Sequence, residues 1–173
     1  LAALDDSGVV IHISTFSKTL SPGIRIGWVT GSEEIIHSLV VAKQAADLHT
    51  STIQQRATAR LLTGFEYDSH IAVLTEVYGE RCRTMLDAIE THFPPDARPT
   101  KPEGGLFLWV KLPESIDGEE LLARALEEQV AFVPGAPFFA ADAKRNFIRL
   151  NFSNQTPNLI EEGIRRLGRV IKR

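Results

Sequence analysis

One lysine, Lys18, stands in a short loop between two β-branched runs, and this arrangement constrains the fold more than any other feature of the chain. Val9-Val10-Ile11-His12-Ile13 reads as a buried strand, and Ile26-Gly27-Trp28-Val29-Thr30 as a second short strand. Between them lie Thr15, Ser17, Lys18, a Pro22-Gly23 turn and Arg25. A lysine at the end of a buried strand is costly unless it is paired or doing chemistry. Burial lowers a lysine's pKa, and the unprotonated amine is the form that attacks carbonyls. Pro22-Gly23 swings the chain back and returns Arg25 toward the strand end. Thr15, Ser17 and Arg25 then form a small set of donors suited to a phosphate. A reactive amine beside a phosphate cradle is what a pyridoxal phosphate Schiff base needs. Plainer readings stay open: Lys18 as a surface lysine, Arg25 as an exposed strand-end cation, Thr15 and Ser17 as loop residues.

The spaced set Thr15-Phe16-Ser17-Lys18 and Pro22-Gly23-Ile24-Arg25-Ile26-Gly27-Trp28 resembles the cofactor-lysine motif of fold-type I, class I/II aminotransferases. Lys43-Gln44-Ala45-Ala46-Asp47-Leu48-His49 and Arg149-Leu150-Asn151-Phe152-Ser153 are similar to stretches of the 2-aminoadipate and aromatic aminotransferase group. The resemblance implies pyridoxal 5'-phosphate held in a Schiff base on Lys18, with Thr15, Ser17 and Arg25 on its phosphate. It implies that Lys18 then moves the substrate's α-proton, and that Arg149 clamps the substrate α-carboxylate. Arg149 lies between Ile148 and Leu150, so a strand residue on the solvent face is the plainer alternative. The implied substrates are an amino acid and a 2-oxo acid. The implied setting is the cytoplasm, as a homodimer when full length. An effector-sensing aminotransferase-like domain of a GntR-type transcription regulator carries the same lysine motif and is the rival reading.

The chain has 173 residues, 43% hydrophobic and 24% charged, as expected of a globular protein. Its net charge of −3 shows no footprint for nucleic acid through this segment. No apolar run approaches the roughly 20 residues of a membrane helix. A single cysteine, Cys82, excludes an internal disulfide and fits a reducing compartment. The chain opens with Leu1 and carries its only methionine at Met85, so the sequence is expected to begin within a longer protein. Only the C-terminal part of an aminotransferase is matched by the resemblance. The ring-stacking residue, the acid that pairs with the ring nitrogen and the glycine-rich part of the phosphate site are expected before Leu1.

Taken in order, Asp5 to Gly8 reads as a turn. Ser32 is the expected cap of a helix whose apolar repeat runs through Ile35, Ile36, Leu39 and Val40. Thr50-Ser51-Thr52 opens a second helix, from Ile53 to Thr63, ended by Gly64. Asp68 is the expected cap of a long helix with the stripe Ile71, Leu74, Tyr78, Cys82, Met85, Ile89 and Phe93, stopped by Pro94-Pro95. Strands are predicted over Leu106–Leu112, Val130–Val133 and Asn146–Phe152. Asp117 with Glu120 has the spacing of a capping box, and Thr156-Pro157 opens the last helix. The fold class is α/β: the end of a fold-type I large domain over residues 1–64, then a small α+β domain over residues 65–173. The five histidines show no metal spacing, and no metal is expected. Cys82 reads as core, and the aromatic loop Pro137-Phe138-Phe139 as packing, with the lining of a substrate pocket as its alternative.

Overall fold

The computed structural model describes residues 2–64 and 66–173 as a mixed α/β chain. The chain divides into two compact units, one ending at Ala72 and one beginning at Val73. The division falls inside a helix. Phe65, where the expected domain boundary lies, is outside the described residues.

The first unit contains β1 (His12–Thr15), β2 (Gly27–Thr30), α1 (Glu33–Asp47), α2 (Thr52–Gly64) and the start of α3 (Tyr67–His92). β1 and β2 pair antiparallel, from His12 opposite Thr30 to Thr15 opposite Gly27. The expectation of a buried first strand is corrected in two ways. The strand begins at His12, not Val9, and Val9 and Ile13 are 74% and 73% exposed. A β-branched run favours extended backbone, but burial needs a covering layer, and no described residues cover this ribbon. Ile26 and Thr58 alone are buried among the described residues of this unit. Ser32 stands at the N-cap of α1 but makes no side-chain cap bond, and Glu33 and Glu34 in the first turn meet the helix dipole instead. α1 buries none of its residues. Asp68 is not a cap either; it is the second residue of α3, in the first turn, where a carboxylate still favours the dipole.

The second unit holds the core. Its sheet comprises β3 (Arg98–Pro99), β4 (Phe107–Lys111), β5 (Val133–Pro134) and β6 (Phe147–Asn151), in the order β3-β4-β6-β5 and antiparallel throughout. α4 (Gly118–Glu127) and α5 (Pro157–Ile171) complete it. Period-two alternation turns Leu108, Val110, Ile148 and Leu150 to one face, where all four are buried. They join Met85, Ala88 and Ile89 of α3, Leu121 and Ala125 of α4, and Ile160, Ile164 and Leu167 of α5. Each of the Val, Leu, Ile and Met side chains among them contributes about 1.5–3 kcal/mol on full burial. The α3 stripe is as the spacing predicts from Tyr78 onward, with Tyr78 and Cys82 packed against this core. Asp117 caps α4 by accepting from the N–H groups of Glu119 at 2.8 Å and Glu120 at 3.4 Å. Thr156 stands at the N-cap of α5 without a side-chain bond, and Pro157 occupies the first turn.

Two strands depart from expectation. The strand predicted over Val130–Val133 is only Val133–Pro134, and β3 is an unexpected two-residue strand. These are the outer strands, and each ends in proline. Thr100 donates inward to Trp109 O at 2.8 Å, and Gly135 donates inward to Phe147 O at 2.7 Å. Alternation then turns the nitrogens of Pro99 and Pro134 outward, where a proline lacks nothing the sheet needs.

Candidate active site

The lysine loop closes the β1–β2 ribbon. Phe16 N–H donates to Ile26 O at 3.1 Å, and Phe16 O accepts from Leu20 at 2.8 Å and Ser21 at 3.2 Å. Ser21 then caps a single 3₁₀ turn, Pro22–Ile24, by accepting from Gly23 N–H at 3.3 Å. Arg25 follows in left-handed backbone, at φ 50°, the conformation that reverses the chain into β2. The Pro-Gly turn thus returns Arg25 to the strand end, as the dipeptide predicts.

Within this loop Thr15 Oγ1 accepts from Ser17 N–H at 3.2 Å and keeps its own O–H to donate. Arg25 Nη1 donates to Pro22 O at 3.3 Å, one of five donors, and the rest of the fork is uncommitted by any described contact. Lys18 is exposed. The premise of a lysine forced into a buried strand end is therefore wrong for this structure; its amine stands at the surface of the loop. From Ser14 to Thr30 the sequence holds hydroxyls, one ammonium and one guanidinium, and no carboxylate. That donor set fits an anionic phosphate with a carbonyl beside it.

His70 was not singled out by sequence, yet it braces this loop. Its Nε2 lies 3.0 Å from Thr19 O, and since a carbonyl only accepts, the ring donates. Nothing in the spacing marks the pair, 51 residues apart.

Arg149 belongs to the second unit. It lies on β6 opposite Trp109 of β4 and Val133 of β5, on the face away from the core. The plainer sequence reading placed it on a solvent face, but the face is not simply solvated. Arg149 Cζ lies over the ring of Phe107 at 4.3 Å and over that of Phe138 at 4.5 Å. Phe138 meets Trp109 edge-on at 5.7 Å, and Trp109 stacks on Phe147 at 5.6 Å. The aromatic loop is therefore packing, as expected, and its packing partner is the arginine. Arg149 Nε is buried with no hydrogen-bond partner, and no carboxylate pairs with the guanidinium among the described residues. A buried donor left unpaired on a permanent cation is costly, and an acceptor there would offset that cost.

At the end of β6, Asn151 Oδ1 accepts from the N–H and the Oγ of Ser153, both at 3.0 Å, and Arg81 Nη1 donates to Ser153 O. This fixes the end of the strand that carries Arg149. No group of His, Cys, Asp or Glu that could hold a metal occurs among the described residues, and none of their helices is long and apolar enough to cross a membrane.

The family model for aminotransferase class I and II matches residues 1–167. Aromatic-amino-acid aminotransferase 1 of Thermococcus litoralis is 43% identical over 172 residues, 99% of this chain and 41% of the relative. The 2-aminoadipate transaminase of Thermus thermophilus is 43% identical over 164 residues, 94% of this chain and 41% of the relative. The crystal structure of Pyrococcus horikoshii kynurenine aminotransferase in complex with PMP aligns with a TM-score of 0.94 at 44% identity, covering 98% of this chain and 42% of that one. An HTH-type transcriptional regulator of Bacillus subtilis is similar at 34% identity over 99% of this chain and 35% of the relative. The chain thus spans about two fifths of the length of the enzymes it matches.

Proposed function

The chain belongs to the class I and II aminotransferases, and from that premise we propose that it supplies the cofactor lysine, part of the phosphate site and the carboxylate-binding arginine of an enzyme moving an amino group between an amino acid and a 2-oxo acid. Pyridoxal 5'-phosphate is the cofactor such a family implies. When bound, it supplies the carbonyl that takes up the amino group and the electron sink for charge left at the substrate α-carbon. The residues of this chain do the rest. Lys18 Nζ would hold the cofactor, and the same amine, when free, would take the substrate α-proton. Thr15 O–H, Ser17 O–H and the uncommitted edge of Arg25 donate to the phosphate. Arg149 receives the substrate carboxylate on its planar fork.

The observation that carries this reading is the lysine loop: an accessible amine among hydroxyl and guanidinium donors, with no carboxylate to neutralise them. We assign residues 1–64 to the end of the cofactor-binding domain and residues 65–173 to the small domain, in a cytoplasmic homodimer. The regulator-like reading draws on the 34% identity to the Bacillus protein; the higher identity to the enzymes favours catalysis.

The test is reductive trapping. The protein is incubated with pyridoxal phosphate, reduced with borohydride, digested and mapped by mass spectrometry. Label concentrated on Lys18 over Lys43, Lys101, Lys111, Lys144 and Lys172 supports the assignment. Label spread evenly over the lysines refutes it.

A further inference from the structure

We infer that Phe107 and Phe138 are positioning residues for Arg149, holding its guanidinium through their ring faces so that its hydrogen-bonding edge stays uncommitted for a carboxylate. This rests on the reading of Arg149 as the carboxylate-binding residue.

A cation on a sheet face is ordinarily fixed by a carboxylate, but an Asp or Glu there would occupy the N–H donors a substrate needs and compete with it. Aromatic rings hold a guanidinium differently. The attraction is between the charge and the ring quadrupole, and it consumes no N–H. Here the Arg149 Cζ lies 4.3 Å from the Phe107 centroid and 4.5 Å from that of Phe138, well within cation–π range. No hydrogen bond or ion pair restrains Arg149 among the described residues, and its Nε is buried unpaired. The rings are therefore what orients it.

The two rings reach it by different routes. Phe107 starts β4 opposite Asn151, on the face that also bears Trp109 and Arg149. Phe138 comes from the 3₁₀ turn Ala136–Phe138, which packs close because Gly135 precedes it. A Cβ at Gly135 would stand 2.6 Å from Phe147 Cβ and 2.8 Å from Trp109 Cη2, so only glycine lets the turn seat against the sheet. Trp109 then meets the Phe138 ring edge-on and fixes it. A sheet residue, a loop residue and a glycine contact converge on one guanidinium.

The experiment reads the Arg149 Nε–Hε resonance by ¹H–¹⁵N NMR during titration with pyruvate, a 2-oxo acid with one carboxylate. Phe107→Leu and Phe138→Leu remove the ring and keep an apolar side chain; Phe107→Tyr and Phe138→Tyr keep the ring. The expected result is pyruvate binding weakened about tenfold in each Leu variant and restored to within about twofold in each Tyr variant, with the thermal midpoints of each pair alike. Leu variants that bind as the parent does would overturn the positioning role, as would Tyr variants that stay folded and fail as the Leu ones do. Arg149→Ala separates the underlying reading: unchanged pyruvate affinity there would sink the carboxylate role of Arg149 itself, and the positioning role with it.

Discussion

His70 Nε2 and Thr19 O, 3.0 Å apart, join the first turn of α3 to the loop that carries Lys18. The bond restrains the Thr19–Leu20 peptide, one residue beyond the lysine. A neutral hydrogen bond of this kind contributes about 0.5–1.5 kcal/mol. His70→Phe keeps the ring and loses the donor. We expect the amides of Leu20 and Ser21, which donate to Phe16 O within the loop, to exchange about fivefold faster, the equivalent of roughly 1 kcal/mol. Unchanged exchange at both amides would show that the loop is held elsewhere.

Two glycines of α5 give opposite signs for one substitution. A Cβ at Gly163 meets nothing within 4 Å. Gly163→Ala should therefore stabilise by about 0.8–1 kcal/mol, the helix propensity difference. A Cβ at Gly168 would collide with the backbone of His92 at the end of α3. Gly168→Ala should destabilise by about 1–3 kcal/mol through overpacking. Denaturant midpoints measure both, and equal shifts in one direction would contradict the packing of α5 on α3.

Glu162 sets an acid dependence. Hydrogen bonds from Arg166 at 2.7 Å and from Arg165 at 2.8 and 2.7 Å hold its pKa at about 2, down from 4.5. The folded state binds the proton less readily than the unfolded chain does, so this stabilisation is present in full above pH 4.5. It is lost as the pH falls toward 2. Glu162→Gln removes it. Thermal midpoints of parent and variant should differ at pH 6 and converge by pH 2; a gap that stays constant across that range would refute the linkage. Because the carboxylate lies at the surface, the effect is expected to be small and to shrink with salt.

Residues 1–173 alone should not transaminate at the rate of an intact aminotransferase. Lys18 and Thr15 are exposed, and the ribbon that bears them has no layer over it among the described residues. Catalysis of this kind depends on fixed dipoles in a site closed to water. Amino transfer assayed with pyridoxal phosphate, several amino acids and 2-oxoglutarate is expected to stay at the background of the cofactor alone. Turnover near that of an intact enzyme would disprove this.

The hairpin, its turn and the return of Arg25 were legible because Pro22-Gly23 between β-branched runs leaves the backbone few alternatives. The burial of that hairpin was not, because composition reports a preference for the interior and cannot report whether a covering layer exists. Alternation placed Arg149 on the face away from Ile148 and Leu150. It could not reveal the phenyl rings there, since Phe138 reaches that face through a turn whose approach depends on the space left at Gly135. β3 escaped notice because two residues carry no period, and one of them is a proline. The brace from His70 joins positions too distant in sequence for any local pattern to mark.

The outward-facing ring nitrogens of Pro99 and Pro134 have a bearing on how this polypeptide behaves when concentrated. Neither margin of the second unit's sheet can offer the donor that an incoming strand would need at that position. The β1–β2 ribbon has no such block, and it displays Ile13 to solvent. Among the described strands, the margins without a proline block are therefore those of the ribbon that carries the Lys18 loop.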